Sequence, residues 1–181
     1  MDLTETRISG EDIWDGKILH VKKDIIKLPN GKESMREYVK HNGAVCIIPV
    51  TDDGRIILEK QYRYAIGKEI IEIPAGKLDT PDEDFRDAAL RELKEETGAT
   101  PRELLDFGDY YGSPAILSER IRMFLALGLE FGEQHFDEGE FIEIFSMPLE
   151  EAAKDVIDGK ICDGKTQAAI LRARAYLSNK D

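Results

Sequence analysis

Four glutamates crowd a short stretch of this chain, Glu83, Glu92, Glu95 and Glu96, with Arg91 among them. Carboxylates gathered on one side of one element repel each other unless a cation sits among them. With only oxygen donors on offer, the cation that suits them is a hard divalent one, Mg²⁺ or Mn²⁺. Whether they share a side is a matter of periodicity. On a wheel of about 100° per residue with Glu92 at zero, Glu96 lies at about +40° and Glu95 at about −60°. Phe85, Ala88 and Ala89 project into the same sector, at about +20°, −40° and +60°. The apolar face of the first half of a helix thus becomes an acidic face in the second half, while Asp84, Asp87 and Lys94 point elsewhere. The alternative is a solvated acidic strip, as in most Glu/Lys runs. Such a strip belongs opposite the apolar stripe, and this one continues it.

The helix that carries these acids has its own start and stop signals. Thr80 is placed as an N-cap, Pro81 suits the first turn, and Glu83 three residues after Thr80 completes a capping box. Gly98 is the C-terminal stop. Ahead of the helix, residues 43–50 form a continuous apolar run, GAVCIIPV, which predicts a buried central strand. A turn at Thr51-Asp52-Asp53-Gly54 returns the chain through a strand at 55–63. Residues 64–68 read as a loop, and 70–74 as a short strand leading into the acidic stretch. Beyond Gly98, strands are predicted at 104–110, 122–129 and 141–145, with Gly112-Ser113-Pro114 interrupting the path. Helices are predicted at 149–157 and 166–177, the latter with Ala169, Ile170, Ala173 and Leu177 at helical spacing. Strands, helix, strands, helices: this order favours an α+β fold, or a mixed sheet between helices, over a regular βαβ repeat.

The N-terminal segment reads differently. Residues 4–9 and 17–28 are expected strands, Asn30-Gly31 is a strong hairpin signal, and 34–41 is the return strand. Such a hairpin has little apolar material of its own and needs a partner surface. The division expected is a subdomain over 1–41 and a catalytic domain over 42–181.

Composition narrows the function classes. The 181 residues carry 37 acids against 25 bases, a formal charge of −12, and a pI of about 4.8. That excludes nucleic-acid binding through a basic surface, though metals and a few arginines can still receive an anionic substrate. Cys46, within the apolar run, is read as a buried thiol, and no Cys/His spacing suggests zinc. No apolar run is long enough to span a membrane. The acidic, polar N-terminus shows no secretory signal, so a reducing cytoplasm is the expected setting.

The run from Gly76 through Glu83 to Arg91-Glu92-Leu93-Lys94-Glu95-Glu96-Thr97-Gly98 resembles the box of the Nudix hydrolases, which cleave nucleoside diphosphates linked to another moiety. Glu83 comes one residue later than the family spacing, and Ala99 stands where a bulky apolar residue is usual. Features outside the box are similar to the ADP-ribose pyrophosphatase branch. They are Gln61-Tyr62-Arg63, the run Glu72-Ile73-Pro74-Ala75-Gly76-Lys77, Ser113-Pro114, and Gly159-Lys160-Ile161-Cys162-Asp163-Gly164-Lys165-Thr166. Ala115 follows Pro114 where that branch has glycine, and alanine takes positive φ less freely.

The resemblance implies an α/β/α sandwich for the fold and, for the site, roles residue by residue. Glu92 and Glu96 would hold Mg²⁺ (or Mn²⁺) together with the carbonyl of Ala75, and Glu95 would hold a second ion or orient a water. Arg91 would pair with a box carboxylate and lock its rotamer. Arg63 would meet a phosphate, with a surface arginine at a strand end as the alternative; Glu72 and Pro114 join the substrate-side residues. In the acidic loop, Glu140, with Glu138 as the second candidate, would act on the attacking water or reach the metals; a generic acidic loop is the alternative. The branch forms homodimers with exchanged N-terminal strands, which makes Arg36 and Glu37 contacts to the partner's substrate. Trp14, Tyr38 and Tyr64 are candidates for stacking on a base, with Trp14 as a packing anchor otherwise. The implied activity is metal-dependent hydrolysis of the pyrophosphate bond of ADP-ribose to AMP and ribose 5-phosphate. A broader nucleoside diphosphate sugar hydrolase, acting on GDP-mannose or ADP-glucose, shares that chemistry. A non-catalytic nucleotide sensor is the third reading, against which stands the presence of Glu92, Glu95 and Glu96.

Overall fold

The computed structural model describes residues 1–135, 139 and 141–179. Among them the chain runs through strands β1 (Thr6–Asp15), β2 (His20–Lys27), β3 (Glu33–Lys40), β4 (Ala44–Val50), β5 (Arg55–Arg63), β6 (Lys68–Glu72) and β7 (Ala75–Lys77). Helix α1 (Phe85–Thr97) follows, then β8 (Ala99–Tyr110), β9 (Ile121–Phe131) and β10 (Ile142–Pro148), and finally helices α2 (Leu149–Ile157) and α3 (Gly164–Ser178). Two compact units result. One comprises Met1–Gly43 with Tyr111–Arg120, the other Ala44–Tyr110 with Ile121–Asp181.

The larger unit is a mixed sheet in the order β10-β5-β4-β9-β8, with β6 on β5 and β7 on β4. The β4–β9 pair is parallel and the other pairs are antiparallel. All seven residues of β4 are buried, as its unbroken apolar run requires. The period of two then sorts them. Val45 and Ile47 pack with Ala88, Ala89 and Leu93 of α1, while Cys46, Ile48 and Val50 pack with Ala152, Ala153 and Val156 of α2 and Ala169, Ile170 and Ala173 of α3. One helix covers one face and two cover the other, which is the expected α/β/α sandwich.

Helix α1 starts later than its sequence suggests. Thr80 is not the N-cap; its carbonyl accepts the Glu83 N–H at 3.2 Å, which makes a turn with Pro81 at the second position, a site proline favours. The cap is Asp84, whose carboxylate accepts the N–H groups of Arg86 and Asp87. Glu83, released from capping, accepts the Asp79 N–H at 2.6 Å instead. The stop is as expected: Gly98 has φ of 70° and its N–H reaches the Lys94 carbonyl. Elsewhere, β1 continues through Asp15, residues 64–66 form a 3₁₀ turn within the predicted loop, β8 begins directly at Ala99, and β7 has no counterpart among the predicted strands.

The smaller unit is the antiparallel sheet β1-β2-β3 with its hairpin turn at Gly31, φ 83°. Residues 111–120 run along it. The Val39 N–H donates to the Ile116 carbonyl at 2.8 Å, and the Ser118 N–H donates to the Val39 carbonyl at 3.0 Å. Pro114 and Ala115 lie in the turn before that contact. No non-glycine residue described has positive φ, so alanine at 115 meets no backbone obstacle.

Candidate active site

The C-terminal half of α1 faces β7, and the two touch through acids. Glu96 is 5% exposed and accepts the Ala75 N–H at 3.1 Å. Glu92, one turn earlier, has a side chain 13% exposed. Its carboxylate lies directly over Gly76: a Cβ at that position would stand 1.9 Å from Glu92 Cδ and Oε1. Only glycine leaves room for the carboxylate, so Gly76 is here for close approach and not for a turn. Glu95 is rotated outward and is 39% exposed.

Arg91 is the hub of the remaining acids. Its Nη1 meets Glu92 Oε1 at 2.7 Å and Glu95 Oε2 at 3.2 Å, and Nη2 meets Glu83 Oε1 at 3.3 Å and the Lys77 carbonyl at 3.2 Å. Asp79 completes the ring at 3.4 Å. Burial alone would lower the guanidinium pKa, but the bonds to Glu83 and Glu92 outweigh it and raise it, so Arg91 stays charged. Glu83 is held below the usual carboxylate range by the Asp79 N–H and by Arg91.

The wheel places Glu92, Glu95 and Glu96 in one broad sector of α1. Among the described residues no three acidic, histidine or cysteine side chains surround a common point. Within that sector Glu95 and Glu96 lie about 100° apart and face different neighbours. Glu92 and Glu95 share the guanidinium of Arg91, while Glu96 turns to the Ala75 amide. Glu83, in place of capping the helix, joins Arg91.

Arg63, at the end of β5, is bonded to Glu72 through Nε at 3.0 Å and also through Nη2. Glu72 is nearly fully buried and its other oxygen takes Lys165 Nζ at 3.2 Å. Lys165 bonds Asp163 at 3.0 Å as well. Burial disfavours the Lys165 charge, but Asp163 and Glu72 more than offset it and raise its pKa. Two cations thus hold one acid at the strand preceding the Ala75–Gly76 segment. The resemblance gives no role to Asp163, Lys165 or Thr166; the signal in the sequence is the Asp-x-x-Thr spacing of an N-cap ahead of α3.

The remaining candidates are dispersed. Arg36 pairs with Glu5 and its Nη1 donates to the Met35 carbonyl at 2.9 Å, Glu37 is exposed, and Pro114 lies in the turn described above, all in the smaller unit. Trp14 is 64% exposed and so is no packing anchor within the chain. Tyr64 is exposed, and the Tyr38 hydroxyl donates to Asp24 at 3.2 Å. Glu138 and Glu140 lie outside the described residues. The chain ahead of them is tied to the end of α1: the Gly132 N–H donates to the Gly98 carbonyl at 2.8 Å and the His135 N–H to the Glu95 carbonyl at 3.0 Å.

A sequence profile of the NUDIX domain matches residues 40–163. The chain belongs to the NUDIX family. Its NUDIX stretch holds α1, β7 and the whole Arg91 ring, which identifies a hydrolase of diphosphate bonds. Among curated relatives, the ADP-ribose pyrophosphatase of Bacillus subtilis (strain 168) is 44% identical over 170 residues, covering 93% of this chain and 91% of that one. The methanol dehydrogenase activator of Bacillus methanolicus is 39% identical over 180 residues, with 97% of both chains covered. A crystal structure of an ADP compounds hydrolase superposes with a TM-score of 0.85 over 99% of this chain and 98% of that one; at 22% identity the likeness concerns the fold. The NUDIX match ends at Asp163, so Lys165 and Thr166 lie beyond it.

Proposed function

We propose that this NUDIX hydrolase cleaves the pyrophosphate bond of ADP-ribose to AMP and ribose 5-phosphate, with Mg²⁺ or Mn²⁺ held at the acidic end of α1. The observation that carries the reading is the approach of Glu92 and Glu96 to the Ala75–Gly76 segment, where a glycine is needed to admit a carboxylate. An all-oxygen donor set on a buried face fits a hard divalent ion. Glu92, Glu96 and the carbonyl of Ala75 would hold it, with Glu95 at a second ion or its water. When bound, such an ion neutralises phosphate charge and makes a bound water more acidic.

The chain's own groups do the rest. Arg91 orients Glu92 and Glu95 through two bonds on one nitrogen. Glu140, or Glu138, accepts the proton of the attacking water. Arg63, placed by Glu72, presents a guanidinium fork to a phosphate oxygen. Arg36, Glu37 and Pro114 contribute on the substrate side in a homodimer with exchanged N-terminal strands. The exposure of Ile8, Ile13 and Trp14 in the smaller unit supports a covering partner. The setting is a reducing one. Among the described residues no helix is long and apolar enough to cross a membrane.

Glu96→Gln tests the reading. The amide oxygen can still accept the Ala75 N–H, so melting behaviour stays near that of the parent, while kcat on ADP-ribose falls by about 10³-fold or more. A parent-like kcat in a folded variant sinks the metal assignment. A second reading, broad hydrolysis of nucleoside diphosphate sugars, draws on the likeness to the GDP-mannose pyrophosphatase of Pectobacterium atrosepticum, 33% identical over 193 residues. A panel of ADP-ribose, ADP-glucose and GDP-mannose ranked by kcat/KM separates the two, a flat ranking favouring breadth.

A further inference from the structure

Ile73 sits where the chain changes partners. Up to Glu72 it is laddered to β5, and from Ala75 it is laddered to β4. At the junction Ile73 is fully buried and Pro74 has no N–H. A buried amide that has left one ladder and not entered the next needs another acceptor. Here the acceptor is Thr166 Oγ1, at 3.0 Å, on a side chain that is itself fully buried.

The hydroxyl of Thr166 is aimed by its neighbours. It donates to Asp163 Oδ2 at 2.6 Å, which turns its lone pairs toward Ile73. The same Asp163 oxygen accepts the Thr166 N–H at 2.9 Å as the N-cap of α3. Lys165 bridges Asp163 to Glu72, so the first turn of α3 grips residues 72 and 73 by two separate links. Pro74 is fixed in turn, its carbonyl accepting the Ile47 N–H at 2.9 Å. Two residues past Ile73, the Ala75 N–H meets Glu96; three past, Gly76 lies under Glu92.

We propose that Thr166 is a positioning residue of the catalytic centre: by holding the Ile73 amide it sets the depth at which Ala75 and Gly76 meet Glu96 and Glu92. This rests on the reading of the acidic end of α1 given above. A residue that merely anchored α3 would alter melting and nothing in the folded fraction. A residue that sets the Ala75–Gly76 segment must also alter the affinity of the acids for an ion, because a displacement of about 1 Å in such a constellation is costly.

The test compares Thr166→Val, which keeps the shape and removes the hydroxyl, with Thr166→Ser, which keeps the hydroxyl. Both are made in the full chain. Mn²⁺ binding is followed by electron paramagnetic resonance without substrate, beside kcat, KM and thermal unfolding. Thr166→Val is expected to weaken Mn²⁺ binding about tenfold and to lower kcat about 10- to 100-fold, with KM for ADP-ribose moving less than about threefold. Thr166→Ser recovers most of both losses. Mn²⁺ binding and kcat in folded Thr166→Val within about twofold of the parent overturn the proposal, as does Thr166→Ser impaired as deeply as Thr166→Val. If Thr166→Val does not fold, Asp163→Ala decides on the same readouts: it removes the oxygen that aims the hydroxyl at the loss of a cap of about 1 kcal/mol, and parent-like Mn²⁺ binding in it overturns the proposal. A parent enzyme that binds Mn²⁺ yet hydrolyses no nucleoside diphosphate sugar refutes the substrate reading alone, and the Mn²⁺ isotherms still judge Thr166.

Discussion

The two sheets of this chain are built on opposite terms. Every residue of β4 is buried and every residue of β1 is exposed. The central sheet has a helical layer on each face, so its middle strand β4 is a continuous apolar run and its order follows from packing. The N-terminal sheet carries its order in its hairpin turn and in cross-strand charge pairs such as Lys23–Glu11 at 3.0 Å and Arg7–Asp24 at 3.0 Å. Pairs of this kind contribute roughly 0.2–1 kcal/mol each. The difference teaches where function is lodged. The buried sheet supplies a rigid floor for Glu92 and Glu96, whereas the exposed one supplies surface: Ile8, Ile13, Trp14 and Leu19 are each half exposed or more.

The contrast is open to breaking at both ends. Ile47→Ala, on the fully buried side, should destabilise by about 2–5 kcal/mol, against about 0.5 kcal/mol or less for Ile13→Ala at protein concentrations too low for association. Denaturant midpoints decide it, and equal losses would erase the distinction. Sedimentation of Ile13→Asp sharpens the same point: a lower association state than the parent shows that a second copy covers the exposed sheet.

Cys46 gives a titration version. Burial pushes its thiol from 9.0 up to about 12. The folded chain keeps the proton where the unfolded chain has lost it. The contribution of Cys46 to stability is therefore complete below about pH 9 and falls as pH rises toward about 12, at up to about 1.4 kcal/mol per pH unit. Unfolding midpoints between pH 8 and 10.5 should decline less in Cys46→Val than in the parent. At neutral pH a thiol reagent should modify exposed Cys162 in the native chain and reach Cys46 only on unfolding.

Helix α1 offers a smaller effect. Asp84→Ala should cost about 1 kcal/mol, while Thr80→Ala, whose side chain caps nothing, should stay within about 0.5 kcal/mol. Comparably small is Lys23→Met on the N-terminal sheet, about 0.5 kcal/mol at low salt and vanishing near 1 M salt, where screening removes the pair.

How much of this was legible in the sequence follows the same division. GAVCIIPV is buried on both faces and says so. Residues 149–157 form the predicted helix to the residue, and Asn30-Gly31 turns the hairpin. The start of α1 was misread because Thr80-Pro81 suits a helix and a turn equally, and the choice lay with Asp84 and its two amides. The strand Ala75–Lys77 is three residues long and begins after proline, so it carries no pattern. In the site, periodicity correctly put Glu92 and Glu96 on the buried face. It could not show that Arg91 would occupy the company of Glu92, Glu95 and Glu83. Nor could it join Thr166 to Ile73, which are 93 positions apart.

The glycine beneath Glu92 has a consequence for how this site can vary. A methyl group at 76 and a full-length glutamate at 92 claim the same space. Neither position has a neutral step available while the other stays as it is. Substitution of Gly76 alone evicts the carboxylate, and shortening Glu92 alone to aspartate leaves a gap above the glycine. In a selection for activity neither site should accept a single change, and any change that is tolerated should involve both, two letters of the chain that can be rewritten only together.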